Sequence, residues 1–336
     1  MSNKKRLYLV DNIKGLLIVL VVFGHICELF IGHPFNKILY CIIYTFHMPA
    51  FVFCSGLFAR YSVRKIRHYI VIYLLFQTVC TLLAEHFLPG DTYLQYHTPY
   101  WALWYIFSLI CWLLLLPIFD VNGAVKKLFV LLLAVAAALL AGFDKQIGYM
   151  LSLSRNIVYL PYFLAGYYVD FKHNRRMLAA AVKRWYVLVP SLLVAVLSVV
   201  YVLNCYDKLD PKLYYGVFGY DLDGMTVMWR LAGYAAAAAY MVLIFRFMPY
   251  KRLPVLTALG KRSLNIFLLH IFAVKAVYIA LTALKGKYSF SGEVLSLVLC
   301  VVILLVTGNG LVDRVMSVFL KCLDFSRYTA RRDDKN

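Results

Sequence analysis

Apolar stretches of roughly 20 residues recur along the chain, separated by short clusters of Lys, Arg, Asp, Tyr and Pro. A helix rising about 1.5 Å per residue needs roughly that length to cross about 30 Å of hydrocarbon. Ten stretches answer the requirement, at 12–32, 38–59, 69–86, 99–119, 127–143, 155–171, 185–203, 226–246, 263–283 and 292–313. The pattern predicts an all-α integral membrane protein of about ten transmembrane helices. The first stretch is a full span with no small-residue cleavage pattern behind it, so it reads as an anchored helix and not a removable leader.

Composition agrees. The 336 residues are 63% hydrophobic and only 15% charged, with a mean hydropathy of +0.76, which excludes a soluble enzyme. A formal charge of +19 would suit nucleic acid, but the basic residues lie between apolar runs, so no nucleic-acid partner is expected and membrane lipids are. Alternate loops divide them 25 against seven, with Lys14, Arg230 and Lys275 left inside the spans. Short Lys/Arg-rich loops stay cytoplasmic, which places both termini inside and requires an even number of spans. Eight single cysteines in no metal-ligand spacing read as small buried hydrophobes, and no metal is expected. The longest loop, 204–225, is too short to fold alone, so a single transmembrane domain is expected over 1–336, ending in a basic cytoplasmic tail, 314–336.

Polar residues at membrane depth carry the chemistry. In the first span Lys14 and His25 are eleven residues apart, which puts them on one helix face about 16 Å apart along the axis. His25 is then a candidate base deep in the bilayer, or else a packing residue hydrogen-bonded between helices. The second span runs Phe46-His47-Met48-Pro49 to Ser55-Gly56. By residue count His47 lies at nearly the depth of His25, so the two imidazoles can share a cavity; alternatively His47 caps a carbonyl freed by Pro49. Beyond it, Arg60, Arg64, Lys65 and Arg67 form a cationic cluster, suited to the phosphates of a nucleotide-bearing donor or simply to anionic lipid.

The fourth span opens His97-Thr-Pro-Tyr100-Trp101-Ala-Leu-Trp104-Tyr105. Such an aromatic cluster is expected at a membrane interface, but Trp and Tyr faces also stack on sugar rings. Arg230 near the outer end of the eighth span can snorkel or bind an anionic acceptor. In the ninth, Ser263, Asn265, His270 and Lys275 suggest one wall of a polar cavity, although interhelix hydrogen bonds explain Ser263 and Asn265 equally well.

These motifs, in chain order, resemble the acyltransferase 3 family of integral-membrane O-acyltransferases, and within it the fucose 4-O-acetylase-like branch. The resemblance rests on Asp11-Asn-x-Lys14-Gly15 through Gly24-His25, Phe46-His47-Met48-Pro49 through Ser55-Gly56, Trp101-Ala-Leu-Trp104, Tyr159-Leu-Pro161-Tyr-Phe-Leu-x-Gly166, and Leu259-Gly260-Lys-x-Ser263-Leu through Leu269-His270. It implies a multi-pass enzyme of the bacterial cell (inner) membrane. Such an enzyme moves an acyl group, usually acetyl from cytoplasmic acetyl-CoA, onto a hydroxyl of a cell-surface glycan or its lipid-linked precursor. Lys14 stands where that family typically has Arg, which keeps the charge and loses the planar fork. No appended hydrolase-like domain is expected.

On that reading His25, Lys14 and His47 are the catalytic candidates. Arg64, Lys65, Arg67 and Ser55 are candidates for binding CoA, and Trp101, Trp104, Arg230 and His270 for binding the acceptor. His25 acts either as general base or as a transient acyl carrier. The alternative is a transporter or flippase for a glycan or lipid, which ten spans and intramembrane cations would also serve.

Overall fold

The computed structural model describes residues 8–87, 93–169, 180–284 and 291–323. Its regular elements are all helical: α1 (Tyr8–Leu29), α2 (Pro34–Gly56), α3 (Val63–Phe87), α4 (Trp104–Phe119), α5 (Ala124–Leu140), α6 (Leu153–Tyr168), α7 (Trp185–Cys205), α8 (Val227–Phe247), α9 (Pro254–Lys261), α10 (Ser263–Ala283), α11 (Gly292–Thr307) and α12 (Gly310–Cys322). Short 3-10 turns precede α4 and α6 and lie at Pro211–Tyr214 in the loop between α7 and α8. The basic residues at 4–6, 172–176 and 285–287, and those of the tail beyond 323, lie outside the described residues.

Seven segments among the described residues are long and apolar enough to cross a membrane: α1, α2, α3, Trp101–Phe119, α7, α8 and α10. Each predicted span falls on a helix, but three depart from the expected length. Helices α5 and α6 have 17 and 16 residues. The tenth stretch breaks at Gly308: α11 and α12 are bent by 55° and make an eighth span only if taken together. The break is chemically specified, because the Asn309 side chain accepts from the Leu311 backbone N–H and starts a new helix.

Helix α1 is the hub, packed by α2, α9, α10 and α11. Ile13, Leu17, Ile18, Val22 and Ile26 are fully buried, as expected of a helix apolar all round. Two close approaches fix its setting. A Cβ on Gly15 would overlap the Leu256 carbonyl, and one on Gly260 the Asp11 carbonyl, so α1 and α9 meet backbone to backbone. Gly56 and Gly166 do the same for α2 and α6 against Phe163 and Phe53. Asn12 completes the joint: its amide donates to the Pro249 and Lys251 carbonyls at 3.0 and 2.9 Å, and its oxygen accepts from Thr257 at 2.6 Å. Asn265 likewise has a packing partner, donating to Asp313 on α12 at 2.6 Å. Opposite this core, α7 presents Leu192, Leu193, Val196 and Val200 outward, as a lipid-facing helix should.

Candidate active site

His25 sits four residues before the end of α1 and lines a cavity of about 140 Å³ together with Glu28, Tyr44, His47, Trp101, Trp104 and Arg155. Its side chain is 14% exposed, so the ring is reachable and not sealed by aliphatic neighbours. One helical turn on, Glu28 places Oε2 3.3 Å from His25 Nδ1, and Tyr44 Oη stands 3.0 Å from the same nitrogen. An ionised carboxylate can only accept, so Nδ1 carries the hydrogen and Nε2 keeps the basic lone pair. Gly24 makes room for this arrangement, since a Cβ there would meet the Tyr44 ring at 2.9 Å.

A third residue holds the carboxylate. Tyr215, in the loop between α7 and α8, donates to Glu28 Oε1 at 2.9 Å. Burial, and then the Glu28 charge, keep this phenol well above the usual tyrosine range, so it remains a donor. His47 also lines the cavity; its Nδ1–H donates to its own Ile43 carbonyl at 2.8 Å, which leaves Nε2 as the acceptor nitrogen. Trp101 lies 4.3 Å from the His25 ring, centroid to centroid. It does so with φ at +40°, a left-handed conformation that costs a bulky residue energy and that the surrounding packing must maintain. Lys275 Nζ lies 5.4 Å from the centroid of the same indole. The Arg155 guanidinium lies over Trp104 at 5.0 Å, and its Nε donates to the Tyr215 carbonyl at 3.0 Å.

A second cavity, about 200 Å³, is lined by Lys14, Ser55, Arg60, Lys65 and Tyr105. Ser55 Oγ and Tyr105 Oη are 2.6 Å apart, and the Tyr105 ring packs 5.2 Å from that of Phe267. Phe267 lines both cavities. The α1 spacing sets the two chambers about 16 Å apart along the helix axis. One is rich in cations, the other in imidazoles and aromatic rings.

The family described as Acyltransferase domain matches residues 7–309, which include both cavities. The chain belongs to this acyltransferase family. No curated protein and no solved structure matches it. The described helices and the family together make it a membrane acyltransferase.

Within this acyltransferase the structure brings His25, His47, Trp101 and Trp104 to one cavity and Lys14, Ser55 and Lys65 to the other. Four predicted site residues lie elsewhere or face differently. Arg64 and Arg67 are exposed on the first turn of α3 and do not line the cationic cavity. Arg60, in the stretch before that helix, takes their place beside Lys65. His270 is fully buried: its Nδ1–H donates to the Phe267 carbonyl at 2.5 Å, and its ring stacks on His25 at 5.4 Å. It backs the base instead of lining the cavity. Arg230 is also buried, giving its terminal nitrogens to the Ala138 and Phe218 carbonyls at 2.6 and 2.7 Å, with Tyr220 beneath it. These bonds tie α8 to the end of α5 and to the loop between α7 and α8, outside the His25 cavity but at the edge of a larger apolar groove.

Glu28, Tyr44 and Arg155 line the His25 cavity without having been singled out by sequence reasoning. Glu28 had a signal, since a carboxylate three residues after a candidate base shares its helix face. Arg155 reads from sequence as a loop charge because it falls at the boundary of α6.

Proposed function

We propose that this acyltransferase moves an acyl group, acetyl above all, from cytoplasmic acyl-CoA to a hydroxyl of a cell-surface glycan or its lipid-linked precursor, with His25 as the base. The observation that carries the proposal is the set of contacts at His25. A reachable imidazole has Nδ1 engaged by Glu28 and Tyr44 and Nε2 left basic, the arrangement a general base requires. The acceptor hydroxyl gives its proton to Nε2 as its oxygen attacks the thioester carbonyl carbon. The tetrahedral centre then collapses, the carbon–sulfur bond breaks, and the imidazolium returns the proton to the departing CoA sulfur. Arg155 provides cavity-facing positive charge for the oxygen that becomes anionic. The acyl-imidazole route begins at the same nitrogen, with Nε2 attacking the thioester itself.

The cationic cavity suits the donor. Lys14, Arg60 and Lys65 offer charge to CoA phosphates, while the pantetheine arm extends past Phe267 toward His25. On this reading the Lys14 cavity faces the cytoplasm, as the bias of basic loops suggests. Both termini lie on that side, and the ten helical stretches cross the cell (inner) membrane. The sugar acceptor follows from the resemblance to fucose 4-O-acetylase-like proteins, and Trp101 and Trp104 supply the ring faces it would use. The test is acyl transfer from labelled acyl-CoA in membranes carrying His25→Ala at wild-type expression. A loss of about 10²–10⁴-fold is expected of a missing general base; full activity removes His25 from the mechanism.

A further inference from the structure

An apolar groove much larger than either cavity, about 670 Å³, lies between α7 and α8 and reaches α2 and α6. Its walls are Val194, Leu197 and Tyr201 on α7 and Ala232, Gly233 and Ala236 on α8. All but Val194, which sits at the middle of α7, lie in the halves of these helices nearest the loop that carries Tyr214 and Tyr215. Leu197 and Tyr201 are exposed, so the groove opens sideways, where the hydrocarbon of the bilayer would be. Its inner end is not closed off from the chemistry. Tyr44, Tyr159 and Tyr214 line both this groove and the His25 cavity, and Tyr44 is one of the two residues in contact with His25 Nδ1.

We infer that this groove holds the hydrocarbon chain of a lipid-linked sugar acceptor, whose head group enters the His25 cavity between the three tyrosines. The inference rests on the function proposed above and narrows it: the acceptor is the membrane-anchored precursor, not the finished polymer. The lining supports this choice. A polymer of sugars needs hydroxyl and amide partners along its path, whereas this path is aliphatic and aromatic, with small residues leaving width for a chain. The polar side chains nearby are largely engaged, Ser198 with Tyr240 at 2.9 Å and Arg230 with two backbone carbonyls. An alkyl chain lying in the groove gains by burial and sets its head group at the tyrosines, converting the search for His25 into a tethered approach.

Gly233 provides the test. A Cβ there meets no atom within 4 Å, so a larger side chain fills the groove without displacing packed structure. Membranes of the source cell would carry wild type, Gly233→Phe or, from the opposite wall, Leu197→Trp. Labelled acyl-CoA is then supplied and the label followed into solvent-extractable lipid and into polymer. The expected result is early label in the lipid fraction, lowered at least tenfold by Gly233→Phe and by Leu197→Trp, with acyl-CoA binding within twofold of wild type throughout. Wild-type transfer by both filled variants, or label entering polymer without passing through lipid, overturns the inference. In parallel, purified protein in nanodiscs is photolabelled with a diazirine-bearing prenyl phosphate. Groove residues should be labelled, and excess prenyl phosphate should compete while excess phosphatidylglycerol does not. Equal competition by the phospholipid identifies ordinary boundary lipid and also overturns it. Because photolabelling needs no turnover, a groove that labels as expected in a His25→Ala protein that retains full transfer would mark failure of the general-base reading alone.

Discussion

Replacing Glu28 by Gln removes one charge beside His25 while keeping a side chain of the same shape. On the proposed mechanism the imidazole becomes an imidazolium during transfer, so the contact to the carboxylate strengthens in the transition state and belongs to kcat. A hydrogen bond to a charged partner contributes about 1.5–3 kcal/mol. At about 1.4 kcal/mol per tenfold this is roughly 10- to 150-fold in rate. The Nδ1 to Oε2 separation of 3.3 Å is longer than the roughly 2.7–2.9 Å of a tight charge-assisted bond, and Tyr44 still holds the ring at 3.0 Å. Both facts select the lower part of the range, about 10- to 30-fold. Glu28→Gln should therefore lower kcat by that factor with KM for acyl-CoA unchanged, well short of the loss expected for His25→Ala. The assay is initial-rate acyl transfer in membranes at matched protein levels, with acyl-CoA varied. An unchanged kcat, or a defect confined to KM, would refute the orienting role of Glu28.

Two further outcomes follow from the packing and from the donor cavity. Charge reversal by Lys65→Glu should raise KM for acyl-CoA about tenfold or more, equivalent to about 1.4 kcal/mol of binding, while Arg64→Glu and Arg67→Glu stay within about twofold; the reverse ranking in a donor titration would show that the phosphates sit on the exposed face of α3. Gly15→Ala and Gly260→Ala each force a Cβ into a facing carbonyl and should cost about 1–3 kcal/mol, read as a lower melting temperature in detergent, whereas an unchanged melting point would mean that α1 and α9 shift apart freely.

The helices were legible because a membrane span needs length and apolarity and little else. Where legibility failed, the deciding contact was tertiary. Periodicity extends the tenth stretch through 313, but Asn309 caps a new helix and Asp313 on it meets Asn265, so the chain turns. Glycines that carry the family resemblance gave no sign of their task in isolation. Gly15, Gly56, Gly166 and Gly260 act on carbonyls that are distant in sequence. The cationic cluster was assigned as a unit, yet a helix that begins at Val63 turns Arg64 and Arg67 to solvent and leaves Arg60 and Lys65 at the cavity. A shift of a few residues in a helix start redirects such a cluster, and hydropathy does not fix boundaries that finely.

At the site, convergence of His25 and His47 was readable by counting depth along two antiparallel spans, since rise per residue is nearly constant. The same count places Lys14 about 16 Å from His25, and the structure gives that interval a meaning composition could not supply. The two ends lie in separate chambers, and Phe267 is a wall of each. A chamber with Lys14, Arg60 and Lys65 suits an anion that stays hydrated on one side. In the proposed reaction the other takes the sugar hydroxyl, with its imidazole held by Glu28 and Tyr44 and the Glu28 carboxylate held by Tyr215. On that proposal the separation keeps the thioester from water until its carbonyl passes the Phe267 ring, so hydrolysis of the donor and transfer to the acceptor differ by whether an alcohol already occupies the place beside His25 Nε2.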